Sequence, residues 1–330
     1  GWQGVGVTGT DLDNRNSGTV SSRYGTVDVH VSNALQNSGS GALVSQKDLT
    51  VTAVSLDNSD KGIVSSGGGQ TLTVSDVVNN SQGGLIDSGA ALDLNAQTVN
   101  NNAGAINAQQ ALTLTGSTLD NTHGALISNG AITLDLIDVL TNTNGKLASG
   151  ADLLLKHASQ INNQGGQLAS QGLMTLLTGG LDNRNGGTVA STNTLTLTAS
   201  GAVQNSDDGL IASQNADIRF TSNSLDNAKG SIQSHAALGV DVAGAADNQS
   251  GKLIAQAGDV NFKADSLDNR GGTLASLKGN LEARTVGVLR NGYDLNNNRQ
   301  GGTVQGQNLK LTTGSIDNYG GRMAAQTGDA

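Results

Sequence analysis

An apolar residue, a polar residue and then asparagine recur as a unit fifteen times along the 330 residues of this chain. The asparagines are Asn14, Asn37, Asn58, Asn80, Asn101, Asn121, Asn142, Asn163, Asn183, Asn205, Asn227, Asn248, Asn269, Asn291 and Asn318. From Asn37 to Asn291 each step is 20, 21 or 22 residues. Such self-similarity marks a stacked repeat, in which one unit cannot bury its apolar face alone. The one long step, 27 residues to Asn318, is accommodated if about six residues are inserted around Tyr293, with Asn297 then in phase.

Two further elements keep step with the tripeptide. Gly-x-apolar-x-small follows the asparagine by three or four residues, as in Gly145-Lys146-Leu147-Ala148-Ser149, and this variable gap accounts for much of the drift in repeat length. A short alternating stretch comes next, such as Leu49-Thr50-Val51 or Leu195-Thr196-Leu197. Alternation puts apolar side chains on one face and Thr, Lys or Asp on the other. Three such stretches in about 21 residues predict a three-sided coil, with Gly and Asn supplying positive φ at the corners. Fifteen stacked coils at strand spacing would make a rod on the order of 70 Å long.

An asparagine in every coil reads as an inward ladder, each amide bonded to the next, rather than as simple tolerance of a turn. The Asp before it, as at Asp57, Asp120 and Asp182, is expected to point outward, because an unpaired buried carboxylate is costly. Neutral Gln36, Asn79, Thr141 and Gln204 interrupt that row and limit repulsion. A leucine-rich repeat shares the period, but it needs Leu-x-x-Asn and a helical return, and neither pattern is found here.

Composition agrees. Aromatic residues are 2% of the chain and proline is absent, as expected of a thin aliphatic core and of strands paired on both sides. High Gly, Asn and Ser would otherwise suggest disorder, which the strict period excludes. With no cysteine there is no disulfide, zinc cluster or thiol nucleophile. The net charge of −9 disfavours nucleic acid or an anionic membrane as partner. No apolar run approaches the ~20 residues of a membrane span, so no membrane insertion is expected. Gly1 to Thr10 form no signal peptide and no initiator methionine is present, so residues 1–330 read as one β-helical segment of a longer protein.

Leu267-Asp268-Asn269-Arg270-Gly271-Gly272-Thr273-Leu274-Ala275-Ser276 resembles the hemagglutinin repeats of filamentous hemagglutinin-type exoproteins, and the resemblance covers essentially residues 11–325. These are the large secreted partners of two-partner secretion systems in Gram-negative bacteria; they include adhesins and effectors of contact-dependent growth inhibition. The resemblance implies an all-β, right-handed parallel β-helix outside the cell, exported through an outer-membrane β-barrel transporter. It also accounts for the missing cysteines, since periplasmic disulfides would hinder export of an unfolded chain. The family's N-terminal secretion domain and C-terminal toxin segments find no match here.

No catalytic, cofactor or metal site is expected. His30, His123, His157 and His235 fall at different phases of the repeat, so stacking does not assemble them. Gly4-Val5-Gly6-Val7-Thr8-Gly9 matches a dinucleotide fingerprint by letter alone, without a βαβ context. Rows of Asp invite comparison with β-helical polysaccharide-degrading enzymes, a third-ranked reading, but such sites concentrate in loops with basic and aromatic residues. The only insertion, residues 290–299, carries Arg290, Tyr293 and Arg299, a candidate contact site. The leading expectation is a stalk that extends an adhesive or toxin-delivery module from the bacterial surface. The alternative is direct binding of a receptor or glycan on a target or host cell by one face.

Overall fold

The computed structural model describes residues 3–296 and 299–326. All regular structure among them is β-strand. The chain divides into two compact units, Gly1–Asn162 and Asn163–Ala330. Within each unit the chain winds through coils of about 21 residues, and each coil contributes three short parallel strands. One coil of the first unit shows the plan, with Leu49–Ala53 carrying the Leu-x-Leu pattern, Ser55–Asp57 the tripeptide and Ile63–Ser66 the Gly-x-apolar-x-Ser element. Each kind of strand pairs in parallel with its own kind one coil away, so three sheets wrap one core. The chain is an all-β solenoid, a parallel β-helix, as its periodicity predicts.

Stacks of like residues form the core. In the first unit Leu56, Val78, Val99, Leu119, Leu140 and Ile161 lie in register one above another, and all are essentially inaccessible. In the second unit Leu197, Phe220, Val240, Phe262 and Ala283 form another stack, in which each phenylalanine neighbours a smaller side chain. Burial of each Leu, Ile or Phe is worth ~1.5–3 kcal/mol. The strands are short because a corner follows every two to six residues. They tolerate no proline because interior N–H groups bond to the neighbouring coil, as Leu49 does to Gly69 at 3.0 Å and Asn58 to Asn79 at 2.7 Å.

The corners differ from expectation. None of the fifteen ladder asparagines has positive φ, and neither do the glycines three or four residues on, such as Gly104 and Gly230. Positive φ falls between them. A three-residue gap carries one such residue, for example Ala103, His123 or Lys229; a four-residue gap carries two, as at Asp60-Lys61 and Asp207-Asp208. Most of these residues are not glycine, so the corner tolerates ordinary side chains there. The glycine is required for a different reason. A Cβ on Gly104 would lie 1.9 Å from the Asn80 carbonyl oxygen of the preceding coil, and one on Gly230 would lie 1.9 Å from that of Asn205. Close approach of one coil to the next selects glycine, and the choice of one or two left-handed residues absorbs one residue of the drift in coil length, the rest falling between the glycine and the next ladder asparagine.

Candidate functional site

The ladder is present in both units. In the first, Nδ2 of Asn14 donates to Oδ1 of Asn37, and the chain of bonds runs on through Asn58, Asn80, Asn101 and Asn121 to Asn142, each at 2.7–2.8 Å. In the second it runs from Asn163 through Asn183, Asn205, Asn227, Asn248, Asn269 and Asn291 to Asn318 at the same distances. Asn37 through Asn291 are fully buried at 0% exposure, whereas Asn318, in the last described coil, is exposed. Nδ2 also reaches two carbonyls, one at the corner glycine of its own coil and one in the next coil. For Asn58 these are Gly62 and Leu85, at 3.1 and 3.0 Å. The row thus ties three consecutive chain segments at each corner and fixes their register.

In most coils where the residue before the ladder asparagine is Asp or Asn, that residue has a job that the sequence reading missed. Its side-chain oxygen accepts the N–H two residues on, closing an Asx-turn at the corner, as Asp57 does from Ser59, Asn100 from Asn102, Asp120 from Thr122 and Asp226 from Ala228. Where Arg follows the asparagine it pairs with this carboxylate, at Asp13–Arg15, Asp182–Arg184 and Asp268–Arg270. Arg15 holds the exposed Asp13 carboxyl down at about 2 through side-chain and backbone hydrogen bonds.

Asp182 corrects the expectation of a solvated outward row. It lies outside the core yet is only 7% exposed, because Arg184 and the Gln164 amide close over it. Burial pushes its carboxyl up, but the bonds from Arg184 and Gln164 outweigh that and leave it lowered. Asp247 goes the other way. Burial raises it, bonds from Gln249 lower it, and Asp268 and Asp226 in the flanking coils raise it further.

The insertion falls between Asn291 and its corner glycine, Gly302, eleven residues on, yet the Asn291–Asn318 bond keeps its 2.8 Å length. Asn297, which the sequence spacing places in phase, lies outside the described residues. The described part folds back on the solenoid. Tyr293 bridges Gly301 in antiparallel fashion and meets the Tyr319 ring edge-on at 5.9 Å. Asp294, 4% exposed, accepts a 2.7 Å bond from Ser250, two coils back. The three candidate contact residues stand in different settings. Arg290 is an exposed strand residue in register with Asp268 and Asp317; Tyr293 is 39% exposed beside Tyr319; Arg299 has positive φ and is exposed.

Among the described residues no group of three or more His, Cys, Asp or Glu converges as a metal site. The four histidines do not converge: His30 and His157 fall in one outward column of the Leu-x-Leu strands but six coils apart, and His123 and His235 lie elsewhere in the coil. His30 faces out from a Leu-x-Leu strand, His123 holds a corner, and the ring of His157 bonds the Leu136 carbonyl at 2.8 Å beside a register shift. What the sequence hides is a shallow groove of about 380 Å³ on the outer Leu-x-Leu face of the second unit, open because residue 239 is glycine.

The fold and its ladder define a β-helical repeat protein whose buried polar groups serve stacking. The haemagglutinin repeat family matches the chain at residues 21–96, 76–135, 137–214, 207–256, 237–285 and 284–329, and the chain belongs to that family. Membership points to a secreted or cell-surface protein of structural or adhesive type. No curated protein and no solved structure matches the chain.

Proposed function

We propose that this segment is a structural length of shaft in a filamentous hemagglutinin-like exoprotein on the outer surface of a Gram-negative bacterium. It is exported through an outer-membrane β-barrel transporter and extends an adhesive or toxin-delivery module from the cell. The observation that carries this reading is the continuity of the ladder within each unit. Coil after coil spends its buried asparagine amide on its neighbours, as expected of a body whose stability comes from stacking.

The test is a pair of deletions in the intact exoprotein. Removing residues 59–101 joins Asn58 to Asn102 and takes out two coils in phase. Surface display and activity of the distal module should persist, with reach shortened by roughly 10 Å. Removing half a coil should destroy display. Loss of adhesion or toxin delivery with display intact after the in-phase deletion would make this region a binding module and end the spacer reading.

A further inference from the structure

Outward side chains of the Leu-x-Leu strands form two columns in the second unit. Arg219, Gly239 and Asn261 follow one another in the first, and Thr221, Asp241 and Lys263 in the second. Gly239 is out of place among them. A Cβ there would find only the Ile218 carbonyl oxygen, at 3.8 Å, so packing does not demand glycine. Its missing side chain opens the groove of about 380 Å³, walled by the other five residues and floored by the strands that bury Phe220, Val240 and Phe262.

The charges around the groove are unevenly satisfied. Lys263 meets Asp241 at 3.4 Å, and Arg284, at the rim, is held by Glu282 at 2.5 Å. Arg219 has only a loose contact with Asp217, at 3.9 Å, and its side chain is 70% exposed. Three cations and two carboxylates line the groove, a net charge of +1 in a chain of net −9. That balance suits one anionic group, not a polyanion.

We propose that the groove over Gly239 binds a sugar residue bearing a single carboxylate, a uronate or sialate unit of a glycan. The Arg219 guanidinium takes the carboxylate as a planar fork. Asp241 and Thr221 accept hydroxyl protons, and the Asn261 amide both donates and accepts. Arg219 and Asn261 lie two coils apart, roughly 9.5 Å along the stack by strand spacing, about the breadth of a pyranose with its carboxylate. An acidic peptide would make little use of Asp241, whereas a polyol needs such an acceptor. This assignment is independent of the spacer reading, since a shaft can carry a binding groove on its outer face.

Isothermal titration calorimetry on the purified chain tests it. The probes are sialyllactose and trigalacturonate, one for each source of carboxylate, with lactose, maltotriose, a heparin tetrasaccharide and a tetraglutamate peptide as comparisons. One of the two carboxylate sugars should bind, and the neutral sugars should not. Gly239→Val, which fills the groove, and Arg219→Gln should each weaken binding by about tenfold or more, the scale of one lost charge-assisted hydrogen bond. Arg219 is exposed and Gly239 is a half-buried outward position with room for a side chain, so both variants should keep the parent's circular dichroism and melting midpoint. The proposal is overturned if neither acidic sugar binds, if lactose binds equally well, if tetraglutamate is preferred, or if Gly239→Val leaves acidic-sugar binding unchanged. Heparin binding that is stronger and indifferent to Gly239→Val would show a diffuse polyanion surface and overturn it too.

Discussion

Replacement of Asn227 measures what the ladder is worth. Its Nδ2 donates to Asn248 Oδ1 at 2.7 Å and, at greater length, to the carbonyls of Lys252 and Gly230 at 3.2 and 3.4 Å. Its Oδ1 accepts from Asn205 at 2.7 Å. In Asn227→Ala the buried Oδ1 of Asn248 loses its donor, while Asn205 keeps longer bonds to Gly209 and Ser231. One orphaned acceptor and one weakened donor together cost about 2–4 kcal/mol. Asn227→Asp keeps the shape but has no hydrogen to give, and sets a buried anion against three oxygens. It should cost about 3–5 kcal/mol at neutral pH, more than the truncation. That carboxyl would titrate above its unfolded value of about 3.9, so the penalty is complete above the folded pKa and fades as pH falls towards 4. Asp226→Ala, one residue away, removes bonds from Ala228 N–H and Ser206 at a half-exposed corner and should cost about 0.5–1.5 kcal/mol. Urea denaturation followed by circular dichroism gives the order, and amide exchange over residues 205–250 localises it. Equal costs at Asn227 and Asp226, or a harmless Asn227→Asp, would refute a ladder of donating amides.

Three further outcomes follow from the same geometry. Gly230→Ala places a methyl against the Asn205 carbonyl and should cost about 2–3 kcal/mol in denaturation, whereas Gly186→Ala, with positive φ but nothing within 4 Å, should cost only about 1 kcal/mol. Gln70 occupies a core position in register with Leu49 and Leu92, and its Oε1 is buried without a partner; Gln70→Leu should stabilise by about 1–2 kcal/mol despite losing the Val64 bond, and a lower denaturation midpoint would contradict this. Asp247 is raised in the folded chain, chiefly by burial, so ionising it opposes folding at neutral pH; Asp247→Asn should raise the melting midpoint at pH 7, with the gain vanishing below about pH 4, where both states are protonated.

How much of this was legible in the sequence depends on whether a residue acts within the stacked core or across its outer surface. Leu56, Val78 and Val99 repeat at the coil period because each must meet its counterpart, so strands, sheets and ladder could be read from spacing alone. The glycines were legible as a pattern, but their cause was not. Spacing cannot distinguish a positive φ from a backbone oxygen 1.9 Å away in the preceding coil. Asp182 misled because part of its cover comes from Gln164 in the preceding coil, at a position that bonds Asp226 through Ser206 but whose residue type changes from coil to coil. The Asx-turns were in principle visible, since Asp or Asn precedes so many ladder asparagines. The groove at Gly239 was not. One more glycine in a chain with 47 carries no signal until the register shows that its neighbours face outward.

The ladder also decides where such a chain can change. Between the asparagine and its corner glycine the gap is three residues at Asn101, four at Asn183 and eleven at Asn291, yet the ladder bond stays at 2.7–2.8 Å in all three. Length therefore varies most freely at this corner; from the corner glycine to the next ladder asparagine it changes only between 16 residues at Gly302 and 19 at Gly272, because a residue added within a strand would turn every following side chain to the wrong face. Outward positions are free in a second sense. Thr198, Thr221, Asp241, Lys263 and Arg284 follow one another in register without disturbing the stack beneath. Specific recognition thus has most room at a lengthened corner or on an outer column. A corner loop pinned at Ser250 by Asp294 has already given up polar groups to hold itself down, whereas the column around Gly239 leaves Arg219 loosely paired. On that ground the outer column, more than the insertion, is where binding should be sought.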